Sequence, residues 1–94
     1  MRVTVRFFTY LREITQKREE EIDLPSGGTL EELLRLLSKN YGQQFTDYVF
    51  NERGEAQSRF HFLVNGKSIT ALDGLKTKLT EGDKVAIVPP VGGG

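Results

Sequence analysis

The sequence predicts an α+β domain in which one main helix packs across one face of a mixed sheet of about five strands. Three observations favour this class. Short segments near both ends of the chain alternate apolar and polar side chains, which is the period of a half-buried strand. Residues 29–42 instead place leucines at the spacing of one helical face. Asn65-Gly66, between two apolar runs, is a strong signal for a hairpin turn.

Two strands are predicted near the amino terminus. Residues 3–8 alternate Val, Val and Phe with Thr, Arg and a second Phe, and residues 19–24 alternate again before Pro25. Proline lacks the amide hydrogen that a strand in the middle of a sheet donates, so the second strand is expected to end there. Residues 9–15 are predicted to form a connection between the two strands, with the side chains of Leu11 and Ile14 turned inward.

The clearest element is a helix that begins after Thr29. Thr29 and Glu32 have the spacing of a capping box, in which each side chain accepts a hydrogen bond from the other residue's backbone amide. Gly42 stands where a helix commonly ends. The apolar face of this helix repeats every three or four residues and consists of Leu30, Leu33, Leu34, Leu37 and Tyr41.

The second half of the chain is predicted to contain mainly strands and turns. Residues 43–59 have no clean period, so they predict only a short helix followed by an irregular loop. Strands are expected at 60–64 and 67–69, on either side of the Asn-Gly turn, and at 84–88. A loosely wound connector is expected before the last strand.

This order of elements is that of the ubiquitin-like β-grasp fold, in which a helix lies across one face of a mixed sheet. We expect residues 1–90 to form the β-grasp domain and residues 91–94 to form a flexible, reactive C-terminal tail. In this topology the first and last strands are neighbours at the centre of the sheet. The strand at 60–64 is then expected on the other side of the last strand.

The composition argues against several classes of function. Lys+Arg and Asp+Glu both number 13, so no net charge indicates binding to nucleic acid or to an anionic membrane. The chain has no cysteine, and His61 is its single histidine, so no metal site is predicted. No apolar run has the length of a membrane span and the amino terminus lacks a signal-peptide pattern. We therefore expect a cytoplasmic protein.

The alternation of the strands assigns their side chains to two faces of the sheet. The face covered by the helix is predicted to hold Val3, Val5, Phe7, Phe62, Val64, Val85 and Ile87. The opposite face is then predicted to carry an apolar patch, called the sheet-face patch below, formed by Phe8, Leu63, Ala86 and Val88. Contiguous exposed apolar patches mark binding surfaces, whereas scattered exposed apolar residues are common and carry no such meaning. We interpret these four residues as a docking surface.

The chain ends in Val91-Gly92-Gly93-Gly94, directly after Pro89-Pro90. A terminal carboxylate is ionised at neutral pH and is a poor electrophile, but adenylation converts it to an acyl donor. Glycine allows a partner's backbone to approach closely, and four extended residues reach about 13–14 Å. The two prolines favour an extended exit from the domain. The plainer alternative is a frayed terminus without chemistry.

Several segments together resemble the MoaD/ThiS family of ubiquitin-like sulfur carriers, and MoaD, the small subunit of molybdopterin synthase, more than ThiS. The segment at 79–94, which contains Pro-Pro-Val and ends in Gly-Gly, is the most specific, since ThiS-like chains are typically shorter and often lack the Pro-Pro. Gly92 occupies the variable position of the family's usual Pro-Pro-Val-x-Gly-Gly ending. The other matching segments are 5–8 (VRFF), 11–14 (LREI), 29–34 (TLEELL) and 63–66 (LVNG).

This resemblance implies chemistry at the carboxyl terminus. A MoeB-like adenylating enzyme would use ATP to convert the Gly94 carboxylate to an acyl-adenylate, and a sulfur donor would convert this to a thiocarboxylate. Gly92 and Gly93 would thread the partner's site. The partner would dock on the sheet-face patch together with Pro89, Pro90 and Val91. The chain would bind no cofactor itself and would be a non-catalytic carrier on its own.

The resemblance also implies a destination, a MoaE-like large subunit of molybdopterin synthase, where the carrier would donate sulfur to the molybdopterin precursor. Other destinations stay open. The same activation serves a ubiquitin-like modifier that is joined through Gly94 to lysines of target proteins. It also serves sulfur carriers for tRNA thiolation or thiamine. A ubiquitin-like interaction module with an inert tail is the remaining alternative.

Overall fold

The structure is a computed structural model, and it describes residues 1–90. The strands are β1 (Arg2–Phe7), β2 (Glu19–Asp23), β3 (His61–Val64), β4 (Lys67–Ser68) and β5 (Lys84–Val88). The helices are α1 (Tyr10–Thr15), α2 (Leu30–Tyr41) and α3 (Gln43–Val49), with single 3₁₀ turns at Ile69–Ala71 and Gly74–Lys76. None of the helices within residues 1–90 is long and apolar enough to cross a membrane.

The five strands form one mixed sheet in the order β2-β1-β5-β3-β4. The central pair, β1 and β5, is parallel, and the other neighbouring pairs are antiparallel. This is the β-grasp arrangement, so the predicted fold class is confirmed. The prediction that the first and last strands are central neighbours, with the third strand beside the last, is also confirmed.

The core lies between the sheet and the helices. All seven strand residues that alternation assigned to the covered face are buried, with at most 6% of any one exposed. The helices cover these strand residues with completely buried side chains, which are Leu30, Leu33, Leu34 and Leu37 of α2 and Phe45 and Val49 of α3. Apolar burial of this kind is the main source of stability in a domain of this size.

The predicted cap of α2 is confirmed in detail. The backbone amide of Glu32 donates to Thr29 Oγ1 at 3.3 Å, and the amide of Thr29 donates to Glu32 Oε1 at 3.4 Å. These two bonds satisfy amides that have no partner inside the helix. Gly42 ends α2 with a φ of +81°, a conformation that favours glycine.

The segment at 9–15, predicted to be a connection, instead contains α1. Leu11 and Thr15 are its buried residues, and Thr15 Oγ1 donates to the Leu11 carbonyl oxygen at 2.9 Å. The prediction was wrong because six residues are too few to display a helical period. Thr9, the residue before the helix, also makes no side-chain cap, so the usual start signal is missing.

The predicted short helix and irregular loop within residues 43–59 are confirmed. The helix is α3, and a tight polar turn follows it. In that turn the amide of Asn51 donates to the Glu55 carbonyl oxygen at 2.7 Å, and Asn51 Oδ1 accepts from the amides of Arg53 and Glu55 at 2.9 Å and 3.0 Å. An isolated bridge between Phe50 and Ala56 closes its base.

Candidate functional site

The sheet-face patch lies on the sheet face opposite the helices. Leu63 of β3 pairs with Ala86 of β5, and Val88, further along β5, pairs with His61. Directly opposed side chains in an antiparallel pair have Cβ atoms about 4.5–5.5 Å apart, so the two strands present their apolar side chains side by side. Leu63, Ala86 and Val88 are each half-buried. The structure thus brings together three of the four patch residues on adjacent strands.

Phe8, the fourth patch residue, follows the last residue of β1 and is also half-buried. Two guanidinium groups lie near its ring, since the Cζ atoms of Arg6 and Arg12 are both 5.7 Å from the ring centroid. Arg12 is held in place, since its Nε donates to the Phe7 carbonyl oxygen at 3.0 Å. The apolar patch therefore has a cationic border at this corner.

Alternation along β1 puts Arg6 on the same face as Phe8, but no pattern in the sequence gave Arg12 a role. Arg12 reaches the patch because α1 turns the chain back beside the end of β1, and α1 was not predicted. The signal that could have found it is the short Leu-Arg-Glu-Ile run directly after the strand. A run of that length is compatible with one helical turn as well as with a loop.

The charges at the opposite end of the same face are paired. Arg2 Nε lies 3.2 Å from Asp23 Oδ1, and Arg2 Nη1 lies 3.6 Å from Glu21 Oε1. The hydrogen bond to Asp23 is the largest cause that raises the pKa of Arg2 above its ordinary value. Within residues 1–90, Arg6 and Arg12 form no such ion pair. The border of the patch therefore carries positive charge that the domain leaves available to a partner.

The backbone beside the patch is strained. Thr9 has φ +48° and ψ −118°, a conformation that a β-branched residue rarely adopts. Strain of this kind costs about 1–3 kcal/mol and persists only where the surrounding structure imposes it. It lies between Phe8 and α1, where the chain changes direction.

Pro89 and Pro90 follow β5 and were predicted to contact a partner. Pro89 is buried and Pro90 is half-buried. Pro89 therefore packs within the domain, and the predicted contact of these two prolines with a partner stays a prediction. The predicted site residues Val91, Gly92, Gly93 and Gly94 lie outside the described residues.

His61 is exposed and lies beside Val88 on the patch. Nowhere in residues 1–90 do three His, Cys, Asp or Glu side chains gather in a way that could hold a metal ion. What the described part of the site offers is therefore a surface for contact: half-buried apolar side chains, a positively charged border, and the strand that leads to the carboxyl terminus.

This fold and this surface define the class of ubiquitin-like β-grasp proteins. Within that class, the chain matches the ThiS family over residues 5–94 and therefore belongs to it. This family comprises ubiquitin-like sulfur carriers and protein modifiers.

Individual relatives agree with that assignment. Small archaeal modifier protein 3 of Haloferax volcanii is 32% identical over 94 residues, which is the full length of both chains. The crystal structure of SAMP1 from Haloferax volcanii has a TM-score of 0.88 at 26% identity, with all of both chains covered. A Pyrococcus furiosus structure named "Putative molybdopterin converting factor, subunit 1" has a TM-score of 0.77 at 29% identity, with 96% of this chain and 98% of that chain covered.

Proposed function

We propose that this chain is a carrier that acts through the carboxylate of Gly94. A carboxylate oxygen attacks the α-phosphorus of ATP in the site of an adenylating partner, and pyrophosphate leaves. Hydrosulfide from a sulfur donor then attacks the carbonyl carbon of the acyl-adenylate, AMP leaves, and a thiocarboxylate remains on Gly94. The chain holds the sulfur and the partner enzymes hold the catalytic groups.

One observation carries this proposal: the strand that supplies half of the sheet-face patch also leads to the carboxyl terminus. Ala86 and Val88 belong to β5, and Gly94 is six residues beyond Val88. A partner that docks on the patch therefore binds next to the point from which the terminus extends. Holding a reactive group near its target in this way replaces an encounter in solution by a step within one complex.

The destination that we propose is molybdopterin synthase, with this chain as its small subunit. A MoaE-like large subunit would accept the carboxyl terminus, with Gly92 and Gly93 in its channel, and the thiocarboxylate would donate sulfur to the molybdopterin precursor. Two observations support this destination. One is the Pro-Pro-Val and Gly-Gly ending, and the other is the similarity to the Pyrococcus furiosus protein over almost the whole chain.

A second candidate is a ubiquitin-like modifier that is joined through Gly94 to lysines of target proteins. The specific observation in its favour is the full-length similarity to small archaeal modifier protein 3. Both candidates need the same adenylation, because an amine and a sulfur nucleophile attack the same activated carbonyl carbon. Sulfur transfer in tRNA thiolation or thiamine formation would differ from the first candidate only in the final acceptor.

The first experiment combines the full chain with ATP, a MoeB-like adenylating enzyme and sulfide, followed by measurement of the intact mass. We expect a mass increase equal to replacement of one oxygen by sulfur. The matched control is the chain without Gly93 and Gly94, which lacks the Gly-Gly ending, should fold equally well and should stay unchanged in mass. Absence of both adenylate and sulfur on the full chain, with a competent carrier reacting alongside, would contradict the proposal.

The second experiment separates the destinations. The thiocarboxylated chain is mixed with a MoaE-like large subunit and the molybdopterin precursor, and dithiolene product is measured. Product formation supports the synthase. The opposite result would be isopeptide adducts, in which Gly94 is attached to lysine, recovered from cells that express a tagged chain. If these adducts are found and the reconstituted reaction gives no dithiolene product, the chain is a protein modifier and not a subunit of the synthase.

A further inference from the structure

A groove runs between α2, α3 and the polar turn that follows α3. One half is a cavity of about 330 Å³, and the other is a wider cavity of about 600 Å³. Thr46, Phe50 and Gly54 line both halves, so the two cavities adjoin each other. The buried ring of Phe50, 8% exposed, forms the apolar floor. Volumes in this range are those of ordinary ligand sites.

The walls of the groove are held by hydrogen bonds. The hydroxyl groups of Ser38 and Thr46 bond to each other and join α2 to α3. On the other wall, the side chain of Asn51 fixes the turn, and Gln57 Nε2 donates to the Tyr48 carbonyl oxygen at 3.1 Å. A site whose walls are already ordered loses little conformational entropy when a ligand binds.

The two halves of the groove carry opposite charges. Arg35 and Lys39 lie one helical turn apart on α2 and line the smaller half, and both are exposed. Arg35 makes one exposed contact, at 3.5 Å, with Glu31, and Lys39 has no ion pair within residues 1–90. Asp47 and Glu52 line the wider half. The groove is therefore cationic at one end, apolar in the middle and anionic at the other end.

We propose that this groove binds an extended segment of a partner protein that carries an acidic, an apolar and a basic side chain at alternate positions. In an extended chain, alternate side chains share one face and are about 6.5–7 Å apart. The acidic side chain would face Arg35 and Lys39, the apolar side chain would rest on Phe50, and the basic one would face Asp47 and Glu52. Charge complementarity along the groove selects this occupant.

Charge along the whole groove argues against a nucleic acid. A phosphate backbone attracted to Arg35 would bring further negative charge against Asp47 and Glu52 at the other end. The groove also lies on the helical side of the domain, whereas the sheet-face patch lies on the opposite side. A segment bound in the groove would leave that patch accessible, so this site is independent of the function proposed above.

The probe for the test is the peptide acetyl-Glu-Ser-Leu-Ser-Lys-amide, titrated into the nitrogen-15-labelled full chain and followed by NMR. We expect saturable shifts of the amides of Ser38, Thr46 and Gly54, with Ala86 on the sheet face unchanged. A peptide with Glu at both ends, one with Lys at both ends, and an oligouridylate serve as competing probes, and each should bind more weakly.

The variant for the test is Arg35→Gln/Lys39→Gln, and Lys76→Gln/Lys78→Gln is its control. The control removes the same charge from exposed positions outside the groove. We expect the groove variant to bind the Glu-Ser-Leu-Ser-Lys peptide roughly fivefold more weakly, because two exposed ion pairs are lost. We expect the control variant to bind this peptide with unchanged affinity. Equal weakening by both variants, shifts confined to the sheet face, no shift at all, or tighter binding of the doubly acidic peptide or the oligouridylate would each overturn the proposal.

Discussion

Leu63 and Ala86 lie directly opposite each other on adjacent strands, with both side chains on the sheet face away from the helices. Ala86 is in turn the neighbour of Arg6 across the parallel β1–β5 pair. One row of the sheet therefore passes from a charged side chain to a small one and then to a large apolar one. The small side chain in the centre leaves a shallow surface on which a partner can rest, with positive charge at its edge.

Val88→Asp should weaken binding of the adenylating partner at least about tenfold, because a charge would be buried without a counterion at the interface. Thr4→Asp is the matched control, since Thr4 is half-buried on the same face but outside the patch. Binding is measured by titration calorimetry, and folding by the urea midpoint. Similar losses of binding in both variants would mean that the patch is not the docking surface.

The fold was predictable because local signals agreed with the global arrangement. The strand alternation placed the core side chains of β1, β3 and β5 correctly, and the reciprocal cap of Thr29 and Glu32 marked the start of α2. The order of strands and helices along the chain then matched one common topology, the β-grasp fold. Each of these signals spans only a few residues, and each is expressed in side chains whose chemistry is visible in the sequence.

The parts that the sequence did not predict depend on contacts between distant segments. Arg12 lies over Phe8 only because α1 turns back beside β1, and the strained backbone of Thr9 allows that turn. The groove on Phe50 likewise combines α2 with a turn that follows α3. No periodicity within a single segment reports such contacts.

Leu34→Ala should destabilise the domain by about 2–5 kcal/mol, because it removes a completely buried side chain and leaves a cavity. Leu36→Ala, on the same helix but only partly buried, is the matched control and should cost less. Chemical denaturation gives both values. Equal losses of stability in the two variants would show that a different face of α2 packs against the sheet.

Thr29→Ala should cost about 1 kcal/mol, because it leaves an amide at the start of α2 without its acceptor. Thr29→Ser keeps the hydroxyl oxygen and should recover most of that loss. The measurement is the urea midpoint at constant slope. A loss that Ser does not recover would point to the methyl group of Thr29 instead of its hydrogen bond.

Thr9→Gly should stabilise the domain by about 1 kcal/mol, because relief of about 1–3 kcal/mol of backbone strain exceeds the entropy cost of about 0.5–1 kcal/mol that glycine adds. Thr9→Ala, which keeps a Cβ, should not give this gain. If Thr9→Gly also weakens partner binding, the strain holds Phe8 in its binding position. Destabilisation by glycine would show that the Thr9 side chain makes a contact worth more than the strain.

Tyr41 should make the stability of the domain depend on pH in the alkaline range. Burial, and next the hydrogen bond that its hydroxyl donates to Glu20, raise the pKa of Tyr41 above its ordinary value of 10.0. Lys17 Nζ lies 3.3 Å from Glu20 Oε2. The hydrogen bond of Lys17 to that carboxylate is the main cause that raises the pKa of Lys17 as well. A raised pKa means that the folded state holds its proton at a pH where the unfolded chain has released it.

The contribution of Tyr41 to the stability of the fold is complete at a pH below the pKa of Tyr41 in the unfolded chain. It is lost as the pH rises through the higher pKa of Tyr41 in the folded state. We therefore expect Tyr41→Phe to be less stable than the natural chain near neutral pH, with a difference that shrinks above pH 10.0. Tyr10→Phe, which removes an exposed hydroxyl, is the control for the general effect of alkaline pH. Urea midpoints from about pH 8 to about pH 11 measure the difference in stability between the natural chain and Tyr41→Phe. A difference that stays constant over this range would show that release of the Tyr41 proton is not coupled to folding.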